Sequence, residues 1–459
     1  MPTDFVGIQI GAISFVDEGV EPVLDWLQER AGVNALCISA LSWSRGNAGR
    51  ATEGYPDHGA AEPDNLRGGA MYKIHPEYYA GTSVKEFTAP DPLYQGFDTL
   101  GDVIPAARKR GMKVYPYYCE TAQSTIRHLW QPGWHNFLDV DHRGRVATRP
   151  SLLNPDYMAW WRSVLDDWFH NYELDGLLWG IERHSPLMDL LGGDTTTGFD
   201  RYFKEEAHRR NIDIQRAIEG YCKVEEWLAD VRRGHKPTDG FFVAFLRLLL
   251  HHPEVFQWEK MWLDAHQSFY YSIGGMVKFF NPKLEIGYGI WQVINTFNPY
   301  LRAQYDFADL RHHADWLKPV LYDVPAGARF ARFVRGWQQT ILHDATPEAA
   351  LDGMATVLQL DIAPLADLPT TGFGPDYVRR ETARLVEETQ GKCRVYPGIG
   401  IGVPSGPGGK QISAEDARAA VIAAYEGGAS GVLISRNYSE ARLDDMAAVG
   451  DALKELGRW

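Results

Sequence analysis

The stretch 175–186, DGLLWGIERHSP, sets a carboxylate, a guanidinium and an imidazole directly after a run of apolar residues. Leu177, Leu178, Trp179 and Ile181 read as a buried strand, with Glu182, Arg183 and His184 as its polar end and Pro186 as its stop. Burial beside apolar neighbours raises a carboxyl pKa toward that of a working acid. Two further carboxylates close apolar runs, Glu120 after 113–119 and Asp323 after 319–322. Glycoside cleavage needs such groups in pairs, one protonated and one ionised. Glu182 is therefore the first candidate, with Asp323 or Glu120 as its partner. Carboxyl groups about 5 Å apart retain configuration at the sugar, and groups about 6.5–9.5 Å apart invert it.

Around these carboxylates the sequence offers groups that bind sugars. Arg183, His184, Gln292, Tyr322, Arg436 and Tyr438 stand at or after strand ends and could bond hydroxyls. Trp43 and Trp291 offer aromatic faces for the apolar side of a sugar ring. Trp179 offers the same face from inside a strand, where a core position is the competing reading. His58 and His75 lie on a long polar insertion, and long loops often carry substrate contacts.

Metal chemistry is the rival. Glu182 and His184 could share a divalent ion with Glu120, which would suit a lyase or isomerase. No HExxH or comparable spacing occurs, so no cofactor is expected. The glycines of 398–402 lack the GK[ST] ending of a phosphate loop, and no GxSxG is present. A sugar-binding barrel without turnover is the third reading.

These residues need elements to hold them. Strands read at about 5–14, 33–42, 113–119, 177–181, 284–291, 319–322, 394–401 and 431–435. Helices read at 20–31, 98–110, 155–172 and 254–280, from Ser413, and through Leu443 to Leu456. Asn154-Pro155-Asp156 caps the third of these helices, and Ser413 with Asp416 forms a near capping box. Eight buried, non-alternating strands interleaved with helices predict an α/β fold, a (β/α)8 TIM barrel whose mouth is built from the strand C-terminal ends. A doubly wound sheet is less favoured, because the first turn, SFVDEG, has no GxGxxG. The whole chain, 1–459, reads as one barrel domain, with insertions at about 44–95 and 185–260.

A net charge of −14 argues against nucleic acid as a partner, since phosphates demand a basic face. No run of about 18 apolar residues suggests a membrane span. The N-terminus lacks a basic segment followed by an apolar core, so no signal peptide is expected. The four scattered cysteines form no CxxC and suit reduced thiols in a cytoplasmic setting. Trp258, Trp262 and Phe269 fit either the core or an interface between copies of the chain, so a homo-oligomer stays open.

Val33-Asn34-Ala35, the loop ending in His75-Pro76, and 106–117, AARKRGMKVYPY, resemble the front half of hypothetical glycosyl-hydrolase and β-galactosidase-like (β/α)8 proteins. DGLLWGIERHSP and SRNYSEARL are similar to uncharacterised bacterial proteins of that superfamily. The resemblance implies the barrel, a carbohydrate substrate and a role for Glu182 as the fourth-strand acid/base. It departs at the seventh strand. There the largest such clan carries its nucleophile, and this chain reads YPGIGIGVPSG with no carboxylate. Other barrel glycosidase clans pair the fourth strand with the sixth, which would suit Glu182 with Asp323.

Overall fold

Nine parallel strands make the main sheet of the computed structural model, which describes residues 4–44, 56–60, 67–120 and 126–459. They are β1 (Phe5–Gly11), β2 (Ala35–Ser39), β3 (Lys113–Glu120), β4 (Gly176–Ile181), β5 (Glu285–Ile290), β6 (Trp316–Pro319), β7 (Arg394–Val395), β8 (Gly398–Ile401) and β9 (Gly431–Arg436). Their order is β7-β6-β5-β4-β3-β2-β1-β9-β8. The two outermost strands, β7 and β8, are separated in the chain only by Tyr396-Pro397. Tyr396 N donates to Leu317 O of β6, and Leu433 N of β9 donates to Pro397 O. The sheet therefore curls until its two ends meet in one stretch of chain.

Side-chain alternation divides each strand between two faces. Phe5, Cys37, Tyr115, Leu178, Trp316, Tyr396 and Leu433, from seven places around the curl, pack together on the inner face. β5 contributes Gly287 to this layer. A Cβ there would lie 2.2 Å from the Trp316 ring, so the tryptophan occupies the space that the glycine leaves. The outer face carries Tyr118, Trp179 and Ile181 into a much larger core under the helices.

Those helices are α1 (Val20–Ala31), α2 (Thr99–Lys109), α3 (Pro155–Asn171), α4 (Glu254–Phe280), α5 (Asp323–Gln338), α6 (Pro375–Thr389), α7 (Ala414–Glu426) and α8 (Leu443–Glu455). Local sequence explains their ends. Asn154 accepts from Asp156 N ahead of α3, and Ser413 and Asp416 form the reciprocal box that opens α7. α3 buries Trp160, Trp161 and Trp168, and Trp161 meets Tyr118 and Trp179 edge-on at ring separations of 4.5 Å. Trp258, Trp262 and Phe269 of α4 are buried within the single chain, so the alternative of an interface between copies is set aside for them.

The expected sixth strand is corrected. It spans Trp316–Pro319, earlier than 319–322, and Asp323 opens α5. The insertion after β4 is helical, over Pro186–Gly192, Arg201–Arg209, Ile214–Arg232 and Phe241–His251. Of the insertion at 44–95, residues 45–55 and 61–66 lie outside the described residues.

Gly287→Val should overfill the inner layer and lower stability by about 1–3 kcal/mol, read from the urea midpoint. Gly353→Ala, on a helix and with nothing within 4 Å of the new methyl, should instead raise it by about 0.5–1 kcal/mol.

Candidate functional site

Residue parity decides which polar groups at the β3 and β4 ends face inward. Leu178 lies on the inner face, so Glu182, four residues on, continues that face, while Trp179, Ile181 and Arg183 take the other. Glu120 pairs in register with Ile181 and is likewise turned outward. There it meets Arg183. Arg183 Nε donates to Glu120 Oε2 at 2.6 Å, Nη2 donates to Oε1, and Nη1 donates to Pro150 O at 2.6 Å. Both side chains are buried, and Tyr157 OH adds a bond to Glu120. This is a correction for both residues: their charges are spent on each other behind the sheet. The proposed sharing of a metal by Glu120, Glu182 and His184 loses its geometry for the same reason.

Glu182 is half-buried at the inner end of β4. His184 follows on the same face, with its ring 4.7 Å from that of Trp291 at the end of β5. Burial, helped by Arg149, lowers the His184 pKa to about 4, so its imidazole is neutral near pH 7. His184, Trp291 and Gln292 line one cavity of about 630 Å³. Its far wall is one face of α5, with Arg329, Arg332, Phe333, Gly336 and Trp337 spaced i, i+3, i+4, i+7 and i+8. Gln292 donates to Tyr322 O at 3.2 Å and to Tyr377 OH at 3.3 Å. Its Oε1 and His184 Nδ1 are buried without hydrogen-bond partners among the described residues. A cavity with aromatic walls and unused polar atoms is built to receive a ligand that brings its own hydrogen-bonding groups.

The remaining expected residues fall elsewhere. Tyr322 is buried beside this cavity, and its hydroxyl accepts from Lys318 Nζ at 3.3 Å. Asp323 is buried, and desolvation pushes its pKa up from 3.8 to about 7. It is absent from the described cavity lining, its charged neighbours are Asp416 and Lys410, and its Oδ1 has no hydrogen-bond partner among the described residues. His58 joins Glu18 at 2.9 Å and Ala441 O at 2.8 Å, while Tyr438 OH donates to Glu18 at 3.2 Å. These contacts tie the loop at 56–60 to the segment after β9. Arg436 pairs with Glu440. His75 is a correction. Its Nδ1 lies 2.7 Å from Oδ1 of Asp167 on α3, whose Oδ2 accepts from Tyr79 OH at 3.0 Å, so it staples the insertion to an outer helix. Trp43 is buried against Trp134 and Trp160 and borders a separate cavity of about 230 Å³. Trp179 belongs to the core.

Sequence reasoning missed Lys318 and the cavity face of α5. The 3.6-residue spacing of Arg329, Arg332, Phe333 and Trp337 was a signal for that face.

No protein-family model and no curated protein matches the chain. Among solved structures, the chain is similar to a β-galactosidase from the psychrophilic Marinomonas ef1, at 12% identity and a TM-score of 0.50, over 99% of this chain and 60% of that one. It is similar to a β-galactosidase from the Antarctic haloarchaeon Halorubrum lacusprofundi at 13% identity and a TM-score of 0.50, over 99% and 58%. The chain thus spans about 60% of the length of these enzymes. At these identities the likeness is one of fold.

Removing one partner of a buried ion pair strands the other charge. Glu120→Ala should therefore cost about 3–5 kcal/mol of stability by urea unfolding. Asp323 gives a pH signature. Between about pH 4 and about pH 7 the unfolded chain has lost this proton and the folded chain keeps it, so the residue's contribution to stability falls as pH rises. Asp323→Asn, which stays neutral, should gain stability relative to the parent between about pH 5 and about pH 8 in urea midpoints.

Proposed function

We propose that the chain is a glycoside hydrolase built on a closed barrel of eight strand–helix units, with Glu182 as a catalytic carboxylate. One observation carries the reading: Glu182 continues the inner face of β4, and His184, on the same face, opens onto the cavity with Trp291. A sugar ring has apolar faces and hydroxylated edges. Trp291, Phe333 and Trp337 suit the faces, and His184, Gln292 and Asn298 suit the edges. The fold shared with the two β-galactosidases supports a carbohydrate substrate.

Cleavage requires a proton donor and an ionised carboxylate. In this reading Asp323 is the remaining candidate for the donor: burial keeps its carboxyl protonated up to about pH 7 and its Oδ1 has no hydrogen-bond partner among the described residues, but it stands outside the described lining of the cavity of His184 and Trp291. Glu182 then acts as nucleophile or base. Glu120 is excluded from the pair by Arg183. A second reading, a sugar-binding barrel without turnover, is favoured by that neutralised carboxylate together with a seventh-strand region that has none.

A panel of aryl glycosides tests the proposal. Glu182→Gln should lower turnover by about 10²–10⁴-fold with an unchanged unfolding midpoint. Undiminished turnover by this variant would remove Glu182 from the chemistry. Sugar binding with no cleavage of any panel member by the parent protein would favour the binding barrel.

A further inference from the structure

We infer that the protein docks on an anionic lipid surface through the helix Phe241–His251, without crossing it; the inference does not rest on the proposed function. The helix reads FFVAFLRLLLH, with Arg247 and His251 as its only polar residues. Phe241, Phe245 and Leu249, spaced i, i+4 and i+8, are buried, and the Phe245 ring packs 5.5 Å from that of Trp227. One position on, Phe242, Leu246 and Leu250 repeat the spacing and, with Val243, point outward, 41% to 77% exposed. Phe256, on the first turn of α4, is exposed as well. Five of the nine exposed large apolar side chains among the described residues thus fall within 242–256. A surface helix keeps a polar outer face, and apolar residues grouped this way mark a contact site.

Charge decides what covers the face. The chain carries −14 overall, yet residues 230–253 hold Arg232, Arg233, Lys236 and Arg247 against Asp230 and Asp239, an excess of base in an acidic chain. All four basic residues are exposed. Arg233 pairs with Asp230 and Arg247 with Asp239, both between exposed groups where an ion pair contributes little. Arg232 and Lys236 have no ion pair among the described residues. Basic groups thus stand ahead of the apolar stripe and on the helix that bears it, so a second copy of the chain, meeting the face in a two-fold contact, would bring like charges together. Anionic headgroups over an acyl layer take both the cations and the apolar side chains. The helix, at 11 residues, is about 16 Å long and cannot span a bilayer, and among the described residues no helix is long and apolar enough to cross a membrane. It would lie in the headgroup plane, with Phe242, Leu246 and Leu250 turned toward the acyl chains.

Co-sedimentation of the full chain with phosphatidylcholine vesicles, alone and mixed with phosphatidylserine, tests this. Phosphatidylserine should strengthen binding about tenfold or more, and added salt should reverse the gain. Leu246→Glu and Leu250→Glu, each at an exposed position, should abolish binding with an unchanged urea midpoint; if the first fails to fold, the second decides. Arg232→Gln combined with Lys236→Gln should remove the preference for phosphatidylserine. No binding to either vesicle, binding without preference, or full binding by a folded glutamate variant would overturn the inference. Sedimentation equilibrium without lipid gives a second readout. A monomer is expected, and a dimer that Leu246→Glu dissociates would give the face to a second copy and overturn the lipid assignment.

Discussion

The bidentate bond between Glu120 and Arg183 sets the geometry on which the site depends. It joins adjacent residues of the β3 and β4 ends on the outer face, and it recruits Pro150 O from the antiparallel pair Leu138–Val140 and Val146–Pro150 that follows β3. Arg183 can reach Glu120 only if it points outward. Alternation then turns Glu182 and His184 inward, and His184 lines the cavity. A pair that looks like catalytic machinery in the sequence works as the clamp that aims its neighbours. Because both charges are buried, the clamp is unforgiving, and either partner alone would be an uncompensated charge.

The interior beneath that clamp is an exchange between glycines and large rings. Gly287 yields to Trp316, and Gly400 of β8 yields to Tyr322, whose ring atoms would lie 2.7 Å from a Cβ there. The lower inner layer is therefore largely aromatic. Nearer the strand ends the inner positions turn polar: Gln9 accepts from Ser435 Oγ at 2.7 Å, and Lys318 meets Tyr322. Polarity rises along the curl toward the end where His184, Trp291 and Gln292 open the cavity.

Periodicity made most of the frame legible. The strands around Phe5, Ala35, Lys113, Gly176, Glu285 and Gly431 and the capped helices at Asn154 and Ser413 follow from short-range pattern and local hydrogen bonding. β6 was misplaced because Lys318 interrupts an otherwise buried run, and a charged inner residue looks like a strand boundary. Glu120 was misread because its partner stands 63 positions away, and no local pattern encodes which carboxylate a distant arginine will take. His58 and His75 failed for the same reason. Their partners, Ala441 and Asp167, lie 383 and 92 positions away. Polar residues on a long insertion look like substrate contacts when they are fasteners.

The pairing of β1 with β9 bears on how the molecule is made. Gln9 and its partner Ser435 are 426 positions apart, so at about 5–20 residues per second a ribosome needs roughly 20–85 s to deliver the second after the first. Throughout that interval one edge of the first strand, with its run of buried Val6, Ile8 and Ile10, has no neighbour to cover it. An open apolar strand edge invites pairing with other chains. Birth on the ribosome is therefore a period of exposure that ends only when Gly431–Arg436 has emerged.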